Sequence, residues 1–157
     1  MKLAAELDRH PGIWRGNQLA RGCPGIATGF SALDAELPGG GWPRAALTEI
    51  LPQHEGIGEL RVLGPALAQL AAQGKFIAWI APPHLPYAPA LAAAGIDLAR
   101  VVIVKTSRES DSLWAAEQAL RSAACGGVLV WPREIRFPQL RRLQLAAEGS
   151  PCLAVLF

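Results

Sequence analysis

Phe76-Ile-Ala-Trp-Ile-Ala81, Tyr87-Ala-Pro-Ala-Leu-Ala-Ala-Ala94 and Val101-Val-Ile-Val104 follow one another with short connections carrying Pro and Gly. The outer two are near-continuous apolar runs of four to six residues. Such runs lack the polar alternation of a half-exposed strand and predict strands covered on both faces. The Ala- and Leu-rich segment between them predicts a helix. Strand, helix, strand at this spacing is the unit from which a parallel sheet is built.

The same pattern extends in both directions. Ala46-Leu-Thr-Glu-Ile-Leu51, Gly127-Val-Leu-Val-Trp131 and Cys152-Leu-Ala-Val-Leu-Phe157 predict three more strands. Residues 59–73, 110–124 and 138–148 predict the intervening helices. In the second of these, Leu113, Ala116, Leu120 and Ala123 or Ala124 recur at helical spacing, and Ser110 or Asp111 is placed to cap its start. The fold class is α/β, a mostly parallel sheet flanked by helices. Gly64-Pro65 falls inside the first crossover helix and predicts a kink there. The final strand ends at Phe157, read as the outermost strand, so the domain reads as truncated at its C-terminus. Residues 1–25 read as a helical or extended arm and residues 26–157 as the α/β domain. Gly39-Gly-Gly41 beside Trp42 reads as a turn, because no Lys-Ser/Thr follows it.

Composition excludes several classes. A chain of 157 residues that is 51% hydrophobic and 18% charged buries a core and is not disordered. No apolar run reaches the roughly 18 residues of a membrane span. The opening residues meet charge and Pro too early for a secretory signal, which predicts a cytoplasmic protein. Cys23, Cys125 and Cys152 stand in no metal-ligand spacing, and neither metal nor cofactor is expected. Twelve of the fifteen basic residues are Arg, which suits bidentate contacts to carboxylate or phosphate and is also what a GC-rich genome writes by default, along with the many Ala and Gly. A net charge of +2 is no nucleic-acid footprint, and leaves weak DNA contact open.

The order Thr28-Gly-Phe-Ser-Ala-Leu-Asp34, Leu37-Pro-Gly-Gly-Gly-Trp42, Leu47-Thr-Glu-Ile50 resembles the entry to the RecA-like ATPase core. Residues 59–104, with Gly74-Lys-Phe76 and Trp79-Ile-Ala-Pro82, resemble two relatives of that core, the ImuA and SulA families. Ile13-Trp-Arg15 and Gly39-Gly-Gly-Trp-Pro43 favour ImuA, since SulA lacks most of that N-terminal block. The resemblance covers residues 10–157. It implies a RecA-like fold and an adaptor in DNA-damage-induced translesion synthesis that binds RecA and the ImuB scaffold. An error-prone C-family polymerase would be engaged indirectly. The alternative is a SulA-like division inhibitor that binds FtsZ and blocks subunit addition.

Against that resemblance the ATPase chemistry is missing. A phosphate loop needs G-x-x-x-x-G-K-[ST] between strand and helix. The register places Gln53 at the first Gly, Gly58 at the second, Glu59 at the Lys and Leu60 at the hydroxyl residue. A carboxylate in the lysine position repels phosphate by roughly 4 kcal/mol at about 4 Å and an effective dielectric near 20. The helix dipole stabilises that carboxylate, so the chain satisfies the anion site from within. The magnesium-ordering acid falls on Trp131-Pro132 and the water-activating glutamate on Pro83. No carboxylate or metal-ligating residue lies near His84 in sequence, His54 with Glu55 reads as a solvated turn, and no flanking pattern marks Cys125 as a nucleophile, so none of these is expected to be catalytic. The expectation is a pseudo-ATPase without catalytic residues.

Recognition then rests on side chains. Trp131, Arg133, Arg136, Phe137, Arg141 and Arg142 place basic and aromatic groups after a strand end. In one reading they form an interface. In the other, Phe137, Leu140 and Leu143 pack inward and Arg141 and Arg142 are the solvated side of a helix. Trp14 and Arg15, with a short helix at Leu3–Arg9, are a second candidate surface, serving either a neighbouring subunit through self-association or the domain's own core. The arm's charges exclude a membrane anchor.

Overall fold

The computed structural model describes residues 24–52, 54 and 58–157. Leu3–Arg9, Trp14, Arg15, Cys23, Gln53 and Glu55 lie outside the described residues. The elements in chain order are α1 (Ser31–Glu36), β1 (Leu47–Glu49), α2 (Glu59–Ala72), β2 (Phe76–Ile80), α3 (Ala88–Ala93), a 3-10 turn (Leu98–Arg100), β3 (Val101–Val104), α4 (Glu109–Arg121), β4 (Cys125–Val130), α5 (Phe137–Glu148) and β5 (Leu153–Leu156). All five predicted strands form. They make one sheet in the order β1-β5-β4-β2-β3, and every pairing is parallel.

β5 lies between β1 and β4 and is not the outermost strand. The observation that prompted the reading of a truncated sheet therefore does not hold. Strand order is set by pairing between segments far apart in sequence, which a terminal position does not report.

Strand residues alternate between two apolar layers. Ile77, Trp79, Leu129, Leu153 and Val155 face α2, meeting Leu63, Ala66, Leu67 and Leu70. Ala78, Ile80, Val128, Val130, Ala154 and Leu156 face α4 and α5, meeting Leu113, Ala116, Leu120, Leu143 and Ala147. The central strands are buried on both faces, which is why they read as unbroken apolar runs. At the edge, β3 leaves Val102 and Ile103 exposed.

Pro65 does not end the first crossover helix. α2 continues from Glu59 through Pro65 to Ala72, and buried side chains on both sides of the Pro hold it. Pro65 instead supplies a packing surface, since a Cβ on Gly29 would lie 2.5 Å from its Cβ. α4 begins at Glu109, one residue before the predicted caps, and no side chain caps it.

The N-terminal block is a clasp on the α2 layer. Asp34 accepts from the Thr28 N–H at 2.8 Å, and the Thr28 hydroxyl accepts from the Phe30 N–H at 3.0 Å. Ile26 and Trp42 exchange backbone hydrogen bonds of 2.8 and 2.7 Å as an isolated antiparallel bridge, and both are buried. Gly39-Gly-Gly41 is the turn that closes this bridge. At Gly41 a Cβ would lie 2.3 Å from the Ile26 carbonyl oxygen, so the chains approach within what only glycine permits.

Cys125 and Cys152 meet at the opposite end of the sheet from the strand C-termini. The Cys152 thiol donates to the Cys125 carbonyl at 2.8 Å. Burial, foremost, pushes both thiols above their ordinary range; the neighbouring sulfur raises Cys125 further.

Two outcomes follow from this packing. Gly41→Ala should lower stability by about 1–3 kcal/mol, read as a reduced urea midpoint, by forcing the Ile26–Trp42 bridge apart. A raised thiol pKa means the folded state holds its protons more tightly than the unfolded chain. The stability this gives is fully present below the ordinary thiol pKa, about 8.5, and is lost as pH rises above it. The Cys125→Ala/Cys152→Ala variant should show a shallower alkaline decline in urea melts, and an unchanged slope would contradict the linkage.

Candidate functional site

Because the strands are parallel, the connections leaving their C-terminal ends collect at one end of the molecule. They are the β1–α2, β2–α3, β3–α4 and β4–α5 loops. A broad cleft of about 1250 Å³ opens among them. Its floor is a stack of three rings. Trp131 lies 5.5 Å from Trp79 at 24° and 4.5 Å from Phe157 at 3°, centroid to centroid. Trp79 is buried, so this stack continues the core outward into the cleft.

Ala81 turns the chain out of β2 with a φ of 52°, a left-handed conformation unusual for a residue with a Cβ, and its N–H is held by the Val104 carbonyl at 2.9 Å. The turn sends Pro82-Pro-His-Leu-Pro86 along the cleft wall, and Leu85 is 67% exposed there. Leu51, after β1, also lines the cleft and is 81% exposed.

The polar rim has a consistent arrangement. Lys105, Arg108, Arg133 and Arg136 line the cleft and are exposed. Glu109 is drawn inward: its carboxylate accepts from the Ser112 hydroxyl at 3.2 Å and from the Arg133 N–H at 3.1 Å. At the head of α2 the Glu59 carboxylate accepts from the Gly58 N–H at 3.1 Å, so it satisfies a helix-terminal donor of its own chain. Gly58 takes a φ of 108°, and Leu60 joins Glu59 in lining the cleft. His84 also lines it.

The basic segment after β4 is divided among three places. Trp131, Arg133 and Arg136 belong to the cleft. Phe137, 75% exposed, and Arg141 face a separate groove of about 490 Å³ beside β1, with Leu47, Glu49, Leu140 and Gln144. Phe137 therefore does not pack inward, whereas Leu143 does. Arg142 reaches the carboxylate of Glu117 at 2.5 Å, and Arg121 reaches the same carboxylate at 2.6 Å. Glu117 is the largely buried member of this triad and ties α4 to α5. The inference from sequence missed Leu51, Leu85, Lys105 and Arg108. Lys105-Thr-Ser-Arg108 directly after an apolar run was the available signal for the last two.

Residues 46–153 match the family model described as cell division inhibitor SulA. That span is more than half of the chain, and the chain belongs to the SulA family. It is 30% identical over 95 residues to the cell division inhibitor SulA of Edwardsiella piscicida, an alignment covering 60% of this chain and 56% of that relative. In three dimensions it is similar to the crystal structure of SulA from Pseudomonas aeruginosa, with a TM-score of 0.58 and 22% identity. That match covers 73% of this chain and 97% of the other.

The expected membership of the ImuA family is thereby overturned, and the translesion-synthesis role with RecA and ImuB falls with it. The residues that favoured ImuA, Ile13-Trp-Arg15 and Gly39-Gly-Gly-Trp-Pro43, lie outside the span that carries the family match. The second of these segments has a local structural cause: it closes the Ile26–Trp42 bridge. Among the described residues no helix is long and apolar enough to cross a membrane.

The two neighbouring arginines should behave differently. Arg142→Ala removes a partner of a largely buried carboxylate and should cost about 0.5–1 kcal/mol, while Arg141→Ala should stay within about 0.5 kcal/mol of wild type. Chemical denaturation of the two variants checks this, and equal effects would contradict the assignment of Arg142 to the α4–α5 contact.

Proposed function

We propose that this protein is a SulA-type division inhibitor that acts by binding FtsZ and blocking subunit addition, without catalysing a reaction. The observation that carries this reading is the family match over residues 46–153, which includes all of β1 to α5.

The non-catalytic part of the reading has support in the cleft. Strand, loop and helix follow one another at β1 and α2 as around a phosphate loop, and we read the segment as a degenerate one. Glu59 occupies the position where a cation would meet phosphate, and it is already engaged by the Gly58 N–H. Leu60 cannot hold magnesium. Pro83 and Trp131-Pro132 stand where a water-activating and a metal-ordering carboxylate are needed. Cys125, its thiol pushed up by burial, is a poor nucleophile. A surface without chemistry at the loop-bearing end of an α/β sheet is suited to recognition, the usual use of that end.

Purified protein added to FtsZ with GTP should suppress polymer formation in a sedimentation assay as it approaches equimolar amounts. It should release no phosphate from ATP above the buffer rate. Undiminished FtsZ polymer at a severalfold excess would contradict the reading, and turnover abolished by Glu59→Ala would contradict its non-catalytic part.

A further inference from the structure

Resting on that reading, we infer that the cleft at the strand C-terminal ends is the docking surface, and that it takes an acidic segment of FtsZ carrying an exposed apolar side chain. The argument begins with charge. Lys105 and Arg108 come from one loop, Arg133 and Arg136 from the next, and all four are exposed on one rim. None of the four has an ion-pair partner among the described residues. Three carboxylates share the cleft, but two are turned away: Glu59 onto the Gly58 N–H, and Glu109 onto the Ser112 hydroxyl and the Arg133 N–H. Glu134 is the exposed acid that remains. The face offered outward is basic. This contrasts with Arg121 and Arg142, whose charges the same fold pairs on Glu117.

Apolar surface lies inside this rim. Leu51 at 81% and Leu85 at 67% exposure line the same cleft as the ring stack. Large aliphatic side chains held out by proline-flanked loops, at the mouth of an aromatic-floored cleft, gain by covering an apolar partner group. A central apolar contact ringed by charges is the anatomy of a protein interface.

A nucleic acid fits less well. Trp131 is sandwiched between Trp79 and Phe157, so its faces are already used and it offers no platform for a base. Glu134 interrupts the basic rim between Arg133 and Arg136, where a phosphate backbone would track.

The test is a titration of FtsZ with wild type, Lys105→Glu/Arg108→Glu, Arg133→Glu/Arg136→Glu, Leu51→Ser/Leu85→Ser and Arg141→Glu. Thermal unfolding of each verifies the fold; all these side chains are exposed. Each of the three cleft pairs should weaken binding at least tenfold. Arg141→Glu, facing the other groove, should stay within twofold. Wild-type affinity should fall as salt rises from low to high, and less steeply in the charge-reversed pairs. Wild type that binds while the cleft pairs bind equally well overturns this inference and leaves the proposed function standing. Wild type that does not bind FtsZ removes both. A 20-nucleotide single strand bound through the same four cations more tightly than FtsZ would assign the cleft to nucleic acid and overturn the inference as well.

Discussion

Parallel pairing of the five strands is the constraint from which the rest of the molecule follows. A parallel neighbour cannot be reached by a tight turn, so each strand must be followed by a crossover that returns the chain to the starting end. Those crossovers are the helices, and they cover both sheet faces: α2 on one, α4 and α5 on the other. The central strands β2, β4 and β5 are thereby dry, with Ile77, Ile80, Val128, Leu129, Leu153 and Val155 essentially inaccessible to solvent. The same constraint sends every loop that leaves a strand tip to one end. Residues 51, 85, 105, 108, 133 and 136 are far apart in sequence but line one cleft because the strands point the same way.

The fold also decides which charges are available. Glu117 sits in the crease between α4 and α5, where an unpaired carboxylate would be costly, and it holds Arg121 and Arg142. Those two arginines serve the helix layer. At the cleft the arrangement is reversed: Glu59 and Glu109 are turned onto local donors, and four cations are left outward with Glu134 as the one exposed acid among them. A phosphate-binding site would need the opposite at the head of α2, a cation facing a row of free amides. At that position this chain has the Glu59 carboxylate, which accepts from the Gly58 N–H.

Much of the fold was legible in the sequence, since strands buried on both faces must be apolar throughout, as in Phe76–Ala81; Val101–Val104 reads the same way and does form a strand, but at the sheet edge with Val102 and Ile103 exposed, so its expected cover on both faces does not hold. The order of the strands was not legible, because β5 enters between β1 and β4 by pairing with residues 107 and 26 positions away, and local pattern carries no trace of that. The cleft was half legible. Trp131, Arg133 and Arg136 stood out because aromatic and basic residues follow a strand directly. Leu51 and Leu85 looked like ordinary loop or strand-end leucines until the loops were brought together. Arg141 and Arg142 are adjacent, and only the helix phase and the distant Glu117 separate their fates. The choice between two related families went astray because it was weighted on the glycine-rich clasp, whose residues answer to a close backbone approach at Gly41.

Hydrogen–deuterium exchange on the protein with and without FtsZ examines the central claim, recognition by the loop-bearing end of the sheet, most directly. The amides of His84 and Leu85, of residues 105–109, and of Trp131 and residues 133–136 should exchange more slowly in the complex, while those beside the β1 groove should not change. Protection confined to residues 137–145, or to β3 at the far edge, would contradict the account.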